Sequence, residues 1–124
     1  VLYDNIQKKL SESGFTKENS SRLTQALKKL HEHRTIIYLS MIWFIEKLKV
    51  ENQNITDAMA VYKQCCDNMN KLYLMALKFE ISNDLSIMRR INDQLLVQYR
   101  SEYEALTQFH STARICYYSS QKLI

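Results

Sequence analysis

One glycine and no proline in 124 residues is the feature that most limits what this chain can fold into. Average usage would supply roughly 8 or 9 Gly and about 6 Pro at this length. Sandwiches and barrels need a turn signal every 8 to 12 residues or so, and only three or four such places occur here. The expected class is therefore all-α. The same scarcity excludes nucleotide enzymes of the P-loop and Rossmann kinds. Their phosphate-cradling turns need several glycines so that the backbone can approach the anion, and Gly14 stands alone. With 46% hydrophobic and 24% charged residues, the chain reads as a single globular domain over residues 1–124 with one core to bury.

Periodicity predicts a bundle of about four antiparallel helices. The first segment, about Leu2 to Glu12, sets Leu2, Tyr3, Ile6 and Leu10 on one stripe and closes at Ser13-Gly14, where glycine can take a left-handed cap. It is expected to lie across the others as a lid. A second helix, from the cap-rich stretch Thr16 to Ser20 to about Leu48, carries Leu23, Leu27, Leu30, Ile37, Met41, Phe44 and Leu48, with Arg34 the one interruption. Between Ile36 and Ile45 it is apolar all round, which predicts burial on several sides.

The third helix is expected to begin with Asn54 as its N-cap and Asp57 in its first turn. Its stripe runs Ile55, Ala58, Tyr62, Cys65, Met69, Leu72, Ala76 and Phe79. The fourth follows Ser82-Asn83-Asp84, with Met88, Ile91, Leu95, Tyr99, Tyr103, Leu106, Phe109, Ala113 and Cys116 on its stripe. Nothing breaks it before the end, so it should reach about 55 Å. Its last part, from about Thr107 to Ile124, still carries Phe109, Ile115, Cys116, Tyr117, Tyr118 and Leu123. That apolar surface is expected to pack on the first helix or on another chain.

The search for catalytic chemistry is negative. His31 and His33 stand two apart, hence on different helix faces, whereas a helical zinc pair needs a spacing of four; both read as exposed polar residues. Cys65, Cys66 and Cys116 lack metal or redox spacing and read as free, small apolar residues in a reducing compartment. Paired carboxylates for a di-iron site are absent. No catalytic, cofactor-binding or metal site is expected, and no cofactor. The net charge of +4 is spread over pairs such as Lys8-Lys9, Lys28-Lys29 and Arg89-Arg90, which argues against specific nucleic-acid binding. No apolar run reaches the roughly 18 residues that span a bilayer.

Residues 36–106 resemble an MIT domain, the three-helix module of microtubule-interacting and trafficking proteins. That family's first junction reads approximately N-Y-x-x-A-x-x-x-Y, and Asn54-Ile55-Thr56-Asp57-Ala58-Met59-Ala60-Val61-Tyr62 matches it with Ile55 for the first Tyr. Glu80-Ile81-Ser82-Asn83-Asp84 matches the end of its second helix. Arg90-Ile91, followed by Gln98-Tyr99-Arg100-Ser101-Glu102-Tyr103-Glu104-Ala105-Leu106, is similar to its third. Three departures stand out: Glu102-Tyr103 replaces Arg-Ala, Lys49 stands where the family's first loop usually has Asp, and the family's second helix is about one turn shorter than the one expected here. Residues 1–35 and 107–124 would then be helical extensions, an arrangement similar to the C-terminal tandem-MIT region of autophagy-initiating Ser/Thr kinases.

The resemblance implies a non-catalytic adaptor in autophagy initiation or endosomal sorting. It would be cytoplasmic, recruited to membranes through its partners, and would capture a helical or extended segment in an interhelical groove. The partner would be the autophagy regulatory subunit or an ESCRT-III-type tail. Residues just beside the core stripes are the candidate lining: Cys66, Tyr73 and Leu77 on the third helix, with Val97, Arg100 and Tyr103 on the fourth. Two other readings fit the helix count. Asn19-Ser20-Ser21 and Asn54-Ile55-Thr56 are glycosylation triplets, which would suit a secreted four-helix cytokine. A scaffold associating with itself through residues 107–124 is the other.

Overall fold

The computed structural model describes residues 2–12 and 14–122, which form α1 (Leu2–Glu12), α2 (Lys17–Leu48), α3 (Gln53–Ser82) and α4 (Leu85–Lys122). Among the described residues there is no strand. The all-α bundle follows from the sequence as expected, and α4 is one unbroken helix of 38 residues. Val1, Ser13, Leu123 and Ile124 lie outside the described residues.

Each junction has its own capping chemistry. Gly14 sits at φ 101° and donates its N–H to the Lys9 carbonyl at 3.1 Å, closing α1 as a glycine at positive φ can. The Thr16 hydroxyl accepts from the Asn19 N–H at 3.1 Å to open α2, and Lys49 at φ 52° closes it. For α3 the N-cap is Asn52 and not Asn54. Asn52 has extended backbone angles, and its Oδ1 accepts from the N–H groups of Asn54 at 2.9 Å and Ile55 at 3.3 Å. Asn54 is thus already inside the first turn, as one of the donors being capped. Asn83 ends α3 in the left-handed region at φ 54°. At the start of α4, Asp84 accepts from the Ser86 hydroxyl at 2.7 Å and the Ser86 N–H at 3.0 Å. These bonds hold the Asp84 carboxyl below its ordinary range.

The central helix is α3, which packs against α2 on one side and α4 on the other. Its stripe from Ile55 to Phe79 is buried along its whole length. This corrects the expectation for residues 36–45 of α2. Ile36, Leu39 and Trp43 face solvent, because α2 meets the bundle with one face only, through Leu23, Leu27 and Met41. Both α2 and α4 run antiparallel to α3, and therefore parallel to each other, across the short connections at 49–52 and 83–84. Neither helix is interrupted at 35/36 or at 106/107.

The core divides into two clusters. The larger gathers Leu23 and Leu27 of α2, Met69, Leu72 and Phe79 of α3, and Met88, Ile91 and Leu95 of α4. Ile6 of α1 belongs to it too, with Leu2 and Leu10 packed alongside. An 11-residue helix is marginal on its own. Here the buried Ile6, contributing about 1.5 to 3 kcal/mol, and the Asn92 Nδ2 donating to Gln7 Oε1 at 2.8 Å hold α1 against α4. The smaller cluster, toward the far ends of α2 and α4, comprises Met41, Tyr62, Cys66 and Ala105, flanked by Ile37, Leu106 and Phe109.

Two expectations for α4 change. Its inward face after Leu95 runs through Gln98, Glu102 and Ala105 rather than through Tyr99, Tyr103 and Leu106, and Tyr103 is 73% exposed. The steps of three and four are kept, but two polar residues occupy them because both have hydrogen-bond partners inside the bundle. Among the described residues, α4 beyond Leu106 does not reach α1, which sits beside Asn92 near the other end of α4. Instead Phe109 meets Phe44 of α2, with ring centroids 6.2 Å apart, and Ala113 is buried.

Candidate functional site

A polar layer crosses the bundle where the two clusters meet. Arg34 of α2 reaches Glu102 of α4 by two bonds, Nε to Oε1 at 3.2 Å and Nη2 to Oε2 at 3.0 Å. The Gln98 amide donates to the Cys65 carbonyl and, at 3.2 Å, to Glu102 Oε1. His31 Nδ1 lies 3.1 Å from the Cys66 carbonyl oxygen, so this histidine is half-buried and bonded to the core, unlike the exposed His33. Burial acts to lower the pKa of the Arg34 guanidinium, but the hydrogen bond and charge of Glu102 outweigh it and hold Arg34 above its ordinary value. The Tyr62 hydroxyl is buried with no hydrogen-bond partner among the described residues; desolvation pushes its pKa up, and that of Tyr99 likewise.

Beyond this layer the seam between α2 and α4 stands open. It forms a groove of about 970 Å³, walled by Ile37, Ser40, Met41 and Phe44 on α2 and by Tyr103, Leu106, Phe109, His110, Ala113, Arg114, Tyr117 and Tyr118 on α4. The lining is mostly apolar and aromatic, with hydroxyls, one imidazole and one guanidinium at the edges. Among the described residues it holds no carboxylate. The Arg114 guanidinium lies 5.7 Å from the Tyr118 ring centroid, within cation–π range. On the near side of the polar layer, the first cluster is covered by α1.

The groove lining offers mostly apolar surface against which another side chain can pack. Cys65 and Cys66 are buried, and desolvation pushes both thiols up to about 11, the direction opposite to an activated nucleophile. The nitrogen of His31 faces the Cys66 backbone oxygen. All three cysteines are free, and no group of three or more potential metal ligands occurs among the described residues. No helix of the described residues is long and apolar enough to cross a membrane.

The six residues singled out from sequence are scattered. Tyr103 stands on the groove wall. Cys66, 6% exposed, lies inside the second cluster. Tyr73 packs against the first cluster and Leu77 is half-buried, while Val97 and Arg100 are exposed and outside the groove. What the sequence reading missed is the α2 wall. Ile37, Met41 and Phe44 sit on the stripe assigned to the core, and the stripe itself does not reveal that its second half lacks a covering helix. No family model, no curated protein and no solved structure matches this chain. The groove therefore has to be read from its own geometry.

Proposed function

We propose that the chain is a non-catalytic interaction module that captures an amphipathic helix in the open half of the α2/α4 seam. One observation carries this reading: the same seam is already covered at its other end by a short amphipathic helix, α1, which inserts Ile6 between flanking Leu2 and Leu10. The open half offers equivalent apolar walls in Ile37, Met41, Phe44, Leu106 and Phe109. A helix presenting apolar residues at a spacing of four would extend the bundle as α1 does. Phe44, Phe109 and Tyr103 are the anchors, aromatic groups being among those that dominate interface energies. The absence of carboxylates from the lining, with His110 and Arg114 at its edge, favours acidic flanks on the incoming helix.

The setting in autophagy initiation or endosomal sorting is supported by the MIT resemblance of residues 36–106, and a cytoplasmic location follows from that setting. NMR titration of the labelled chain with an MIT-interacting helix of an ESCRT-III subunit, and with the tail of the autophagy regulatory subunit, tests both levels. Saturable shifts at Ile37, Phe44, Leu106 and Phe109, abolished by Phe109→Asp, are expected with one of them. Saturable shifts centred elsewhere would remove the groove, and no shift with either peptide would remove the pathway.

A further inference from the structure

On the outward side of α2, away from α3, lies a second apolar feature whose large side chains groove capture does not use. Ile36, Leu39 and Trp43 are 60%, 57% and 59% exposed, and with Ser40 they frame a shallow depression. Their positions are i, i+3, i+4 and i+7. That is the four-residue outline into which a side chain of a facing helix inserts in knobs-into-holes packing. Three large apolar groups in one such outline are more than the scattered single exposures of an ordinary surface.

We infer that this face pairs with the same face of a second copy, α2 against α2 in antiparallel orientation about a two-fold axis passing between Leu39 and Ser40. The charges along the face select that arrangement. With the axis there, Ile36 of one copy meets Trp43 of the other, and Glu32 meets Lys47. Glu46 stands opposite His33. All four polar residues are exposed, and the Lys47 ammonium already lies along this side, 6.0 Å from the Trp43 ring centroid. A parallel pairing would set Glu32 on Glu32 and Lys47 on Lys47, which repel. Sliding the antiparallel pair by one turn places Glu46 on Ile36, or Glu32 on Trp43, leaving a carboxylate against an apolar side chain. A two-fold pair also closes on itself, with the same residues used by both partners.

About four helical turns per copy form the seam, which puts the contact at the small end of specific interfaces, below roughly 1,200 Å². The dimer is accordingly a transient one that forms with rising concentration. Ser40, on the border, is the residue the two features share; Ile37, Met41 and Phe44 lie on a different face of the helix from Ile36, Leu39 and Trp43, so the dimer leaves the α2/α4 groove open.

Sedimentation equilibrium of the 124-residue chain from about 1 μM to about 1 mM covers the affinity range of such contacts. The expected result is a mass that climbs from one chain toward two, with Leu39→Glu holding the protein monomeric. Glu32→Lys and Lys47→Glu alone should each weaken association by about tenfold through repulsion at two equivalent pairs, and the double reversal should restore it. All three positions are exposed, so unchanged helical circular dichroism confirms that each variant is folded. A constant monomer mass, a dimer that survives Leu39→Glu, or a double reversal no tighter than the single ones would each overturn the pairing.

Discussion

Arg34 and Glu102 meet in a two-pronged ion pair, at 3.2 and 3.0 Å, at the level where the apolar core divides into two clusters. The carboxylate is almost wholly buried and the guanidinium largely so. A buried pair contributes little over an apolar replacement, yet losing one partner strands the other. Among the described residues, Arg34 and Glu102 are the charged side chains of α2 and α4 that are not exposed, so the pair ties the two helices at this level.

Glu102→Ala should therefore destabilise the fold by about 2 to 3 kcal/mol, discounted from the roughly 3 to 5 of a fully enclosed pair because Arg34 retains some contact with solvent. The double change Arg34→Met with Glu102→Leu should recover most of that loss. Urea denaturation of the three proteins checks it. A single change as mild as the double one would mean that the pair neither strands a charge nor organises the layer.

The hydroxyl of Tyr62 is the companion case. It is enclosed among Met41, Cys66 and Ala105, without a hydrogen-bond partner among the described residues. Removing an unpaired buried polar atom while keeping the ring removes a desolvation cost. Tyr62→Phe should leave stability unchanged or raise it by about 1 kcal/mol, read as the shift in the urea midpoint at constant slope. A clear loss of stability would show that the hydroxyl is satisfied in solution.

How much of this was legible in the sequence differs from residue to residue. The stripes at steps of three and four place α3 and the first half of α2 correctly, since Leu23, Leu27, Met69 and Leu72 are apolar where they are buried. On α4 they hold through Met88, Ile91 and Leu95 and fail beyond, where the inward positions Gln98 and Glu102 are polar and the neighbouring Tyr99 and Tyr103 look more like core. Arg34 interrupting the α2 stripe was the available signal: a charge on an apolar face calls for a partner. The open groove was not legible, because Ile37, Met41 and Phe44 continue a core stripe whether or not a helix covers it. The outward exposure of Ile36, Leu39 and Trp43 was hidden for a similar reason, since an all-apolar stretch is equally consistent with a central helix.

The start of α3 separates two asparagines that look alike in sequence. Asn52 accepts from two first-turn amides, whereas the side chain of Asn54 is exposed within that turn. Asn52→Ala should cost about 1 kcal/mol, the usual price of a lost N-cap, while Asn54→Ala should stay within about 0.5 kcal/mol. Thermal denaturation of the two variants side by side decides it; equal losses would mean that the helix begins later in solution.

Alkaline pH offers a last test of the polar layer and the thiols beside it. In the folded chain burial raises Cys65 and Cys66 from 9.0 to about 11 and also raises Tyr62 and Tyr99. For an acid held neutral by burial, the unfolded chain loses its proton first and so binds fewer protons than the native one. Stability then falls as pH increases. Its full contribution is present below pH 9, and it is lost progressively as pH climbs from 9 toward 11. Urea midpoints measured at about pH 8 and about pH 10 should differ accordingly. Thiol labelling supplies an independent reading, because half-buried Cys116 should react in the native protein at a pH where Cys65 and Cys66 react only on unfolding. A midpoint that does not move with pH, together with fast native labelling at all three cysteines, would place the paired thiols in contact with solvent and break the second cluster as described.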